Sequence, residues 1–188
     1  MITMNTLENM RFGEERAHYA SRALTLQNCR FEGAEDGESA LKESAEILAR
    51  DCFFDLRYPL WHVRGVRLER CEMTQNCRAA LWYDKDVTIS GCIMNGIKAV
   101  RECADVHVAD THISSPEFGW KSRGIVLENS SLDSEYAFFG SRGICANGLR
   151  FEGKYSFQYT HDVRIEKSEL HTKDAFWHSK NVTVTDSE

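Results

Sequence analysis

A phrase of the form apolar–x–apolar–x–x–(Cys, Ser or Thr)–x–apolar recurs nine times in these 188 residues. Its first positions are Leu24, Ile47, Val66, Val87, Val106, Ile125, Ile144, Val163 and Val182, and six of the eight steps between them are 19 residues long. The first step is 23 residues and the third is 21. A fixed period near 20 identifies a solenoid, whose short units bury their apolar sides only by stacking on their neighbours. Equivalent residues then form columns along the stack, so binding surfaces are sought column by column. Positions are counted below from the first apolar residue of each coil, taken as 0.

Positions 0 and +2 are apolar and often β-branched, as in Val66/Leu68, Val87/Ile89 and Val106/Val108, with Arg67, Thr88 and His107 between them. That alternation predicts a strand with one buried face. Positions +5 and +7 predict a second short strand: Cys29/Phe31, Cys52/Phe54, Cys71/Met73, Cys92/Met94, Thr111/Ile113, Ser130/Leu132, Leu149/Phe151 and Ser168/Leu170. Turn-forming residues sit between the two at Asn28, Asp51, Gly91, Asp110, Asn129 and Gly148, and again at −1 with Gly65, Asp86, Asp105, Gly124, Gly143, Asp162 and Asn181. A third segment carries Leu41, Leu60, Leu81, Val100, Phe138, Phe157 and Phe176 at −6. Three short strands and three corners in a coil of 19 residues predict an all-β chain, a single-stranded parallel β-helix solenoid of about nine coils, roughly 40 Å long at the usual rung spacing.

The expected organisation is one β-helix domain over 1–188, with 1–13 as an irregular N-terminal cap. No C-terminal cap is visible after Val184, which predicts an uncapped, truncated solenoid or an end covered by a partner. The extra residues of the long steps are expected in loops near Gly33–Ser39 and Thr74–Arg78. A net charge of −6 argues against nucleic-acid binding, which needs a basic footprint. No apolar run reaches the roughly 20 residues that span a bilayer. Met1–Arg11 lacks a secretory pattern, so the seven cysteines are expected as reduced thiols in a cytoplasmic protein.

Cys29, Cys52, Cys71 and Cys92 share one column. A linear column cannot wrap a tetrahedral zinc, and free cysteine packs as a small buried apolar residue, so core packing is expected and no metal or cofactor. Position −5 reads Tyr19, Lys42, Trp61, Trp82, Arg101, Trp120, Phe139, Gln158 and Trp177, which gathers all four tryptophans. Lys42, Arg101 and Gln158 in the column, with the apolar −6 column beside it, favour −5 facing outward, whereas the mostly Ala −7 column would suit a small–large alternation with the tryptophans in the core. Two readings of an outward stripe stand side by side. Trp61, Trp82, Arg101, Trp120, Gln158 and Trp177 form a substrate-binding surface for an oligosaccharide, or the rings stack on one another to stabilise the sheet.

For catalysis, glycoside hydrolysis needs two carboxyls about 5–5.5 or 6.5–9.5 Å apart. Glu117 and Asp174 fall three rungs apart, about 14 Å, and Glu102 lies about 13 Å from Glu117. A basic residue acting on an acidic sugar is the other route, with Arg101 and Lys154 as candidates. The weak catalytic set is therefore Arg101, Glu117, Lys154 and Asp174. No P-loop, HExxH motif or serine triad is present.

The phrases GESALKE (Gly37–Glu43), YPLW (Tyr58–Trp61), AALWY (Ala79–Tyr83), EFGW (Glu117–Trp120), KYSFQY (Lys154–Tyr159) and TKDAFWHS (Thr172–Ser179) carry a resemblance. From about Glu14 onward the chain resembles an uncharacterised bacterial domain-of-unknown-function family of pectin-lyase-like, right-handed parallel β-helix proteins. The resemblance implies right-handed winding and a fold like that of polysaccharide lyases and hydrolases. It implies no activity, and the clustered calcium-binding Asp of the lyases is absent. Three functions follow as expectations: binding or processing of a carbohydrate on the aromatic face; a non-catalytic scaffold that docks a protein or self-associates through that face or the open C-terminal end; and a lyase or epimerase.

Overall fold

A computed structural model of the chain describes residues 5–34 and 37–188. The chain winds as a right-handed parallel β-helix with three faces. Face A is a ten-stranded parallel sheet running from Asn5–Glu8 to Lys180–Thr185, with Val87 in register between Val66 and Val106. Face B has nine strands, from Arg11–Phe12 to Glu169–Lys173. Face C is short: Leu60–Trp61, Leu81–Trp82 and Val100–Arg101 pair in parallel, and Arg101 bridges to Trp120.

Within the expected N-terminal cap, residues 5–8 and 11–12 form strands. Asn5–Glu8 pairs with Arg22–Gln27, Asn5 opposite Leu24, and Phe12 pairs with Phe31, which makes a tenth coil one period upstream. Asn5 and Met10 occupy positions 0 and +5 there, so the apolar–thiol pattern did not reveal it. Residues 1–4 lie outside the described residues.

Each coil turns at three left-handed residues. Two corners fall where turn chemistry predicts them, at −1 (Asp86, Asp105, Asp162) and +4 (Asn28, Asp51, Asp110). The third, at −4, uses residues that rarely adopt this backbone: Glu43, His62, Tyr83, Glu102, Lys121, Tyr159 and His178, with φ from 50° to 61°. Such a residue costs about 1–2 kcal/mol. Rung-to-rung bonds hold it there, as His62 N–H donates to Trp82 O at 2.9 Å and Glu102 N–H to Trp120 O at 2.8 Å.

The residue after each corner turns inward. At +5 these are the buried cysteines Cys29, Cys52, Cys71 and Cys92, whose thiols donate to backbone carbonyls such as Leu7 O and Ala49 O. The Cys71 thiol, bonded between Cys52 and Cys92, is pushed up from its ordinary pKa. At −3 stands a column that sequence reading missed: Ser44, Val63, Asp84, Cys103, Ser122, Ser141 and Thr160, all buried. Its hydroxyls accept corner amides of the preceding coil, Cys103 N–H to Ser122 Oγ at 3.0 Å and Ser122 N–H to Ser141 Oγ at 2.9 Å. Short hydroxyls suit this place because those amides would otherwise be buried without acceptors.

Face C has two conformations. At Tyr58 the left-handed residue is at −8, and the following residues run extended. From Gly119 onward the left-handed residue moves to −6, at Gly119, Phe138, Phe157 and Phe176, and the segment coils into turns. Gly119 opens this change: its φ is +72°, and a Cβ there would come 2.8 Å from Phe138 Cδ1. In both parts −6 points inward. Leu60, Leu81 and Val100 are fully buried, and so are Phe138 and Phe157, whose rings stack at 4.8 Å.

The long third step holds a 3₁₀ turn, Gln75–Cys77, capped by Thr74, whose Oγ1 accepts from Asn76 N–H. The first insertion, near Gly33–Ser39, includes residues 35–36, which lie outside the described residues. Its Gly37 packs where a Cβ would come 2.3 Å from Gly13 O.

Candidate functional site

The −5 column faces outward, half-buried, as a continuous ladder. Lys42 Nζ lies 3.8 Å from the Trp61 ring centre, and Trp61 and Trp82 stack at 5.1 Å and 11°. The Arg101 guanidinium lies between Trp82 and Trp120, 6.0 and 5.9 Å from their centres, and Trp120 meets Phe139 at 5.1 Å. Because the column runs along the stack, each ring covers its neighbour's flat face and shows solvent mainly its edge. Trp177 differs, at 60% exposed. Gln158 is half-buried on the outer side of the turn part. Trp61 Nε1, Trp82 Nε1 and Arg101 Nη1 are buried and lack hydrogen-bond partners.

A groove opens beside the ladder in the extended part of face C. Tyr58, Arg78, Ala79, Trp82, Ile97, Lys98 and Arg101 line it around a volume of about 220 Å³. Arg78 also borders a second hollow of about 320 Å³, lined by Gly33, Asp55, Leu56, Arg57, Gln75 and Asn76. The two interruptions of the period therefore meet on one side of the helix, next to the tryptophans. Arg78 closes the 3₁₀ turn with φ 56° and ψ −89°, a sparsely populated conformation, and its N–H donates to Gln75 O. Lys98 N–H donates to Arg78 O at 2.9 Å, and a Cβ on Gly96 would meet the same oxygen at 2.9 Å, so backbone crowding holds Arg78 in place.

The charges around the groove are partly paired. Lys98 Nζ is 3.1 Å from Glu117 Oε2, and Arg101 Nε is 3.1 Å from Glu102 Oε1. Glu102 also pushes the Tyr83 phenol up by hydrogen bonding. Among the described residues Arg78 has no acidic partner.

The structure does not gather the catalytic candidates. Arg101 lines the groove and is tied to Glu102, and Glu117 is tied to the groove's Lys98. Lys154 lies over the Tyr155 ring at 4.7 Å, and its hydrogen bond to Tyr155 raises its pKa, the wrong direction for a base. Asp174 is exposed at a left-handed turn in the Trp177 coil. Among the described residues no group of three or more His, Cys, Asp or Glu forms a metal site. No helix among them is long and apolar enough to cross a membrane.

Asp84 was invisible as a special residue in the sequence. It occupies the hydroxyl column at 1% exposure, with Oδ1 accepting Val63 N–H at 2.7 Å and Oδ2 unpartnered. Burial raises its pKa well above the ordinary carboxyl range. The neighbouring Cys103 thiol is pushed up by its own burial and, to a lesser extent, by Asp84.

Fold and surface together define a β-solenoid protein with one polar-aromatic groove at an irregularity of its repeat. The chain belongs to the family described as Protein of unknown function (DUF3737), whose profile matches residues 5–188. Comparison with curated proteins finds no match. Among solved structures it is similar to two trypsin-treated variants of QnrB1, a plasmid-mediated fluoroquinolone resistance protein. One is 12% identical, covering 99% of this chain and 91% of that chain, and the other is 11% identical, covering 97% and 88%; both have a TM-score of 0.23. Likeness at that level enters no functional argument. The family description carries no pectin-lyase-like assignment.

Proposed function

We propose that this protein is a non-catalytic binding scaffold whose ligand surface is the face C groove between Tyr58 and Arg101, and whose ligand is anionic. The observation that carries this reading is the placement of Arg78. The insertion of the third step brings Arg78 and Ala79 to the groove beside Trp82, Arg78 also borders the hollow that reaches Gly33 of the first insertion, and among the described residues Arg78 has no acidic partner. Loops that interrupt a rigid repeat are where binding residues concentrate.

Enzymatic readings have less support. Arg101 and Glu117 are neutralised by neighbours, Lys154 is held protonated, and Asp174 stands apart. Sugar stacking on flat tryptophan faces also has less support, because Lys42, Arg101 and adjacent rings occupy the faces of Trp61, Trp82 and Trp120. An acidic sugar remains a second reading of the occupant, favoured by the pectin-lyase-like resemblance and by the cations Arg78, Lys98 and Arg101 along the groove. The test incubates the protein with acidic and neutral polysaccharides and scans by NMR for cleaved, unsaturated or epimerised products. No product is expected. Product formation that disappears in Arg101→Ala or Lys154→Met would overturn the scaffold reading.

A further inference from the structure

The geometry points to a specific ligand class for this groove: a single carboxylate carried on a short apolar body. The inference rests on the groove being the binding surface and goes beyond that reading by naming its chemistry. The charge count selects a monoanion. Lys98 and Arg101 are each balanced by a glutamate, at 3.1 Å in both cases, which leaves Arg78 as the one cation of the lining without an acidic partner among the described residues. A dianion would be left half unpaired in a partly desolvated place, which is costly. An arginine fork matches the two oxygens of a carboxylate.

One further observation fits an acceptor-bearing guest. Arg78 is locked by the 3₁₀ turn in a strained backbone conformation, and strain of that kind is typically retained where a side chain must be aimed. The rest of the lining sets the body of the ligand. Tyr58, Ala79, Trp82 and Ile97 offer ring and methyl surface, and the volume of about 220 Å³ is below that of drug-sized pockets, so it admits about one ring and a short chain.

The test uses the full chain labelled with ¹⁵N and follows its indole N–H signals. The probe is 3-phenylpropionate, compared with its neutral amide, phenyl phosphate and galacturonate. The expected result is a saturable shift of the Trp82 indole signal with the carboxylate, with a dissociation constant on the order of a millimolar for so small a ligand. The signal of Trp177, which lies outside the groove, should stay still. The amide should bind about tenfold more weakly, and Arg78→Gln should cost about five- to tenfold. Ile97→Glu places an acid at the exposed rim and should weaken binding as well; Ile97 is 45% exposed, so folding is not at stake.

A silent Trp82 signal, an equal response to the amide, or unchanged binding in both variants would overturn the inference. Tighter binding of phenyl phosphate would overturn the monoanion, and tighter binding of galacturonate would overturn the apolar body. Silence from every probe, with no product in the polysaccharide assay, removes this ligand class and leaves the non-catalytic reading standing. Product formation removes that reading whatever the probes do.

Discussion

Face C passes through the same columns in two ways. Between Leu60 and Arg101 it is extended and paired, with aliphatic Leu60, Leu81 and Val100 inside and Trp61 and Trp82 outside. Beyond Gly119 it coils into turns, with Phe138, Phe157 and Phe176 stacked inside and Phe139 and Gln158 outside. When the backbone changes conformation the inner column turns from aliphatic to aromatic, while the outer column stays largely aromatic through Trp120, Phe139 and Trp177. Inside, stacked rings fill a core; outside, they wall a groove. The same residue type at the same period therefore serves stability in the inner column and surface chemistry in the outer one.

The sharpest way to break this contrast is to remove one ring from each stack. Phe138→Ala should cost about 3–5 kcal/mol in denaturant unfolding, because a fully buried ring leaves a cavity between coils. Trp82→Ala should cost only about 2 kcal/mol, since part of the ring stays in contact with solvent and the pairing adds a modest amount. Equal losses would erase the distinction between core and surface ladders.

Asp84 supplies the next largest effect, confined to the extended half. Burial raises its folded-state pKa, so the fold binds more protons than the unfolded chain above about pH 4. Its stabilising contribution is full below that value and is lost as pH rises toward the folded pKa, at a slope of at most about 1.4 kcal/mol per pH unit. Asp84→Asn keeps an acceptor for Val63 N–H and cannot ionise. It should flatten the slope and be more stable than wild type at pH 8 in urea titrations. A slope that persists in the variant would place the titration on another group.

Gly119→Ala tests the switch between the two conformations. The left-handed φ and the contact with Phe138 predict a loss of about 1–3 kcal/mol, read as a drop in thermal midpoint. A neutral result would mean that the switch is set elsewhere. The smallest effect belongs to the ladder's free end. Lys42→Met removes the cation over Trp61 and should cost about 0.5–1 kcal/mol, with altered tryptophan fluorescence. No change in either would show that the ammonium lies in solvent.

The period, the columns at 0, +2, +5 and +7 and the corners at −1 and +4 were legible because apolar alternation and Gly, Asn and Asp mark them directly. The outward direction of −5 was also legible, from Lys42 and Arg101. Three features were hidden for physical reasons. The first coil offers Asn5 where other coils have Leu, Val or Ile. The third corner forces Tyr83, His62 and Lys121 into a backbone that their side chains do not advertise. The −3 column looks like a polar surface in sequence, yet its hydroxyls are short enough to bond corner amides inside. The groove itself was half visible: its insertions were placed correctly, but only the fold brings Arg78 beside Trp82 and Lys98.

The left-handed glycines at −1 have a practical consequence. Gly124 and Gly143 are equivalent corners, each followed by an inward isoleucine, Ile125 and Ile144. Excising Ile125–Gly143 would join Gly124 to Ile144, reproduce the same Gly–Ile junction and leave every column in register. The shortened chain would lose one rung, about 4.8 Å of length, from the turn half while leaving the groove residues untouched. Reach along the axis is thus counted in whole coils, and the protein can be edited in those units without rewriting its surface chemistry.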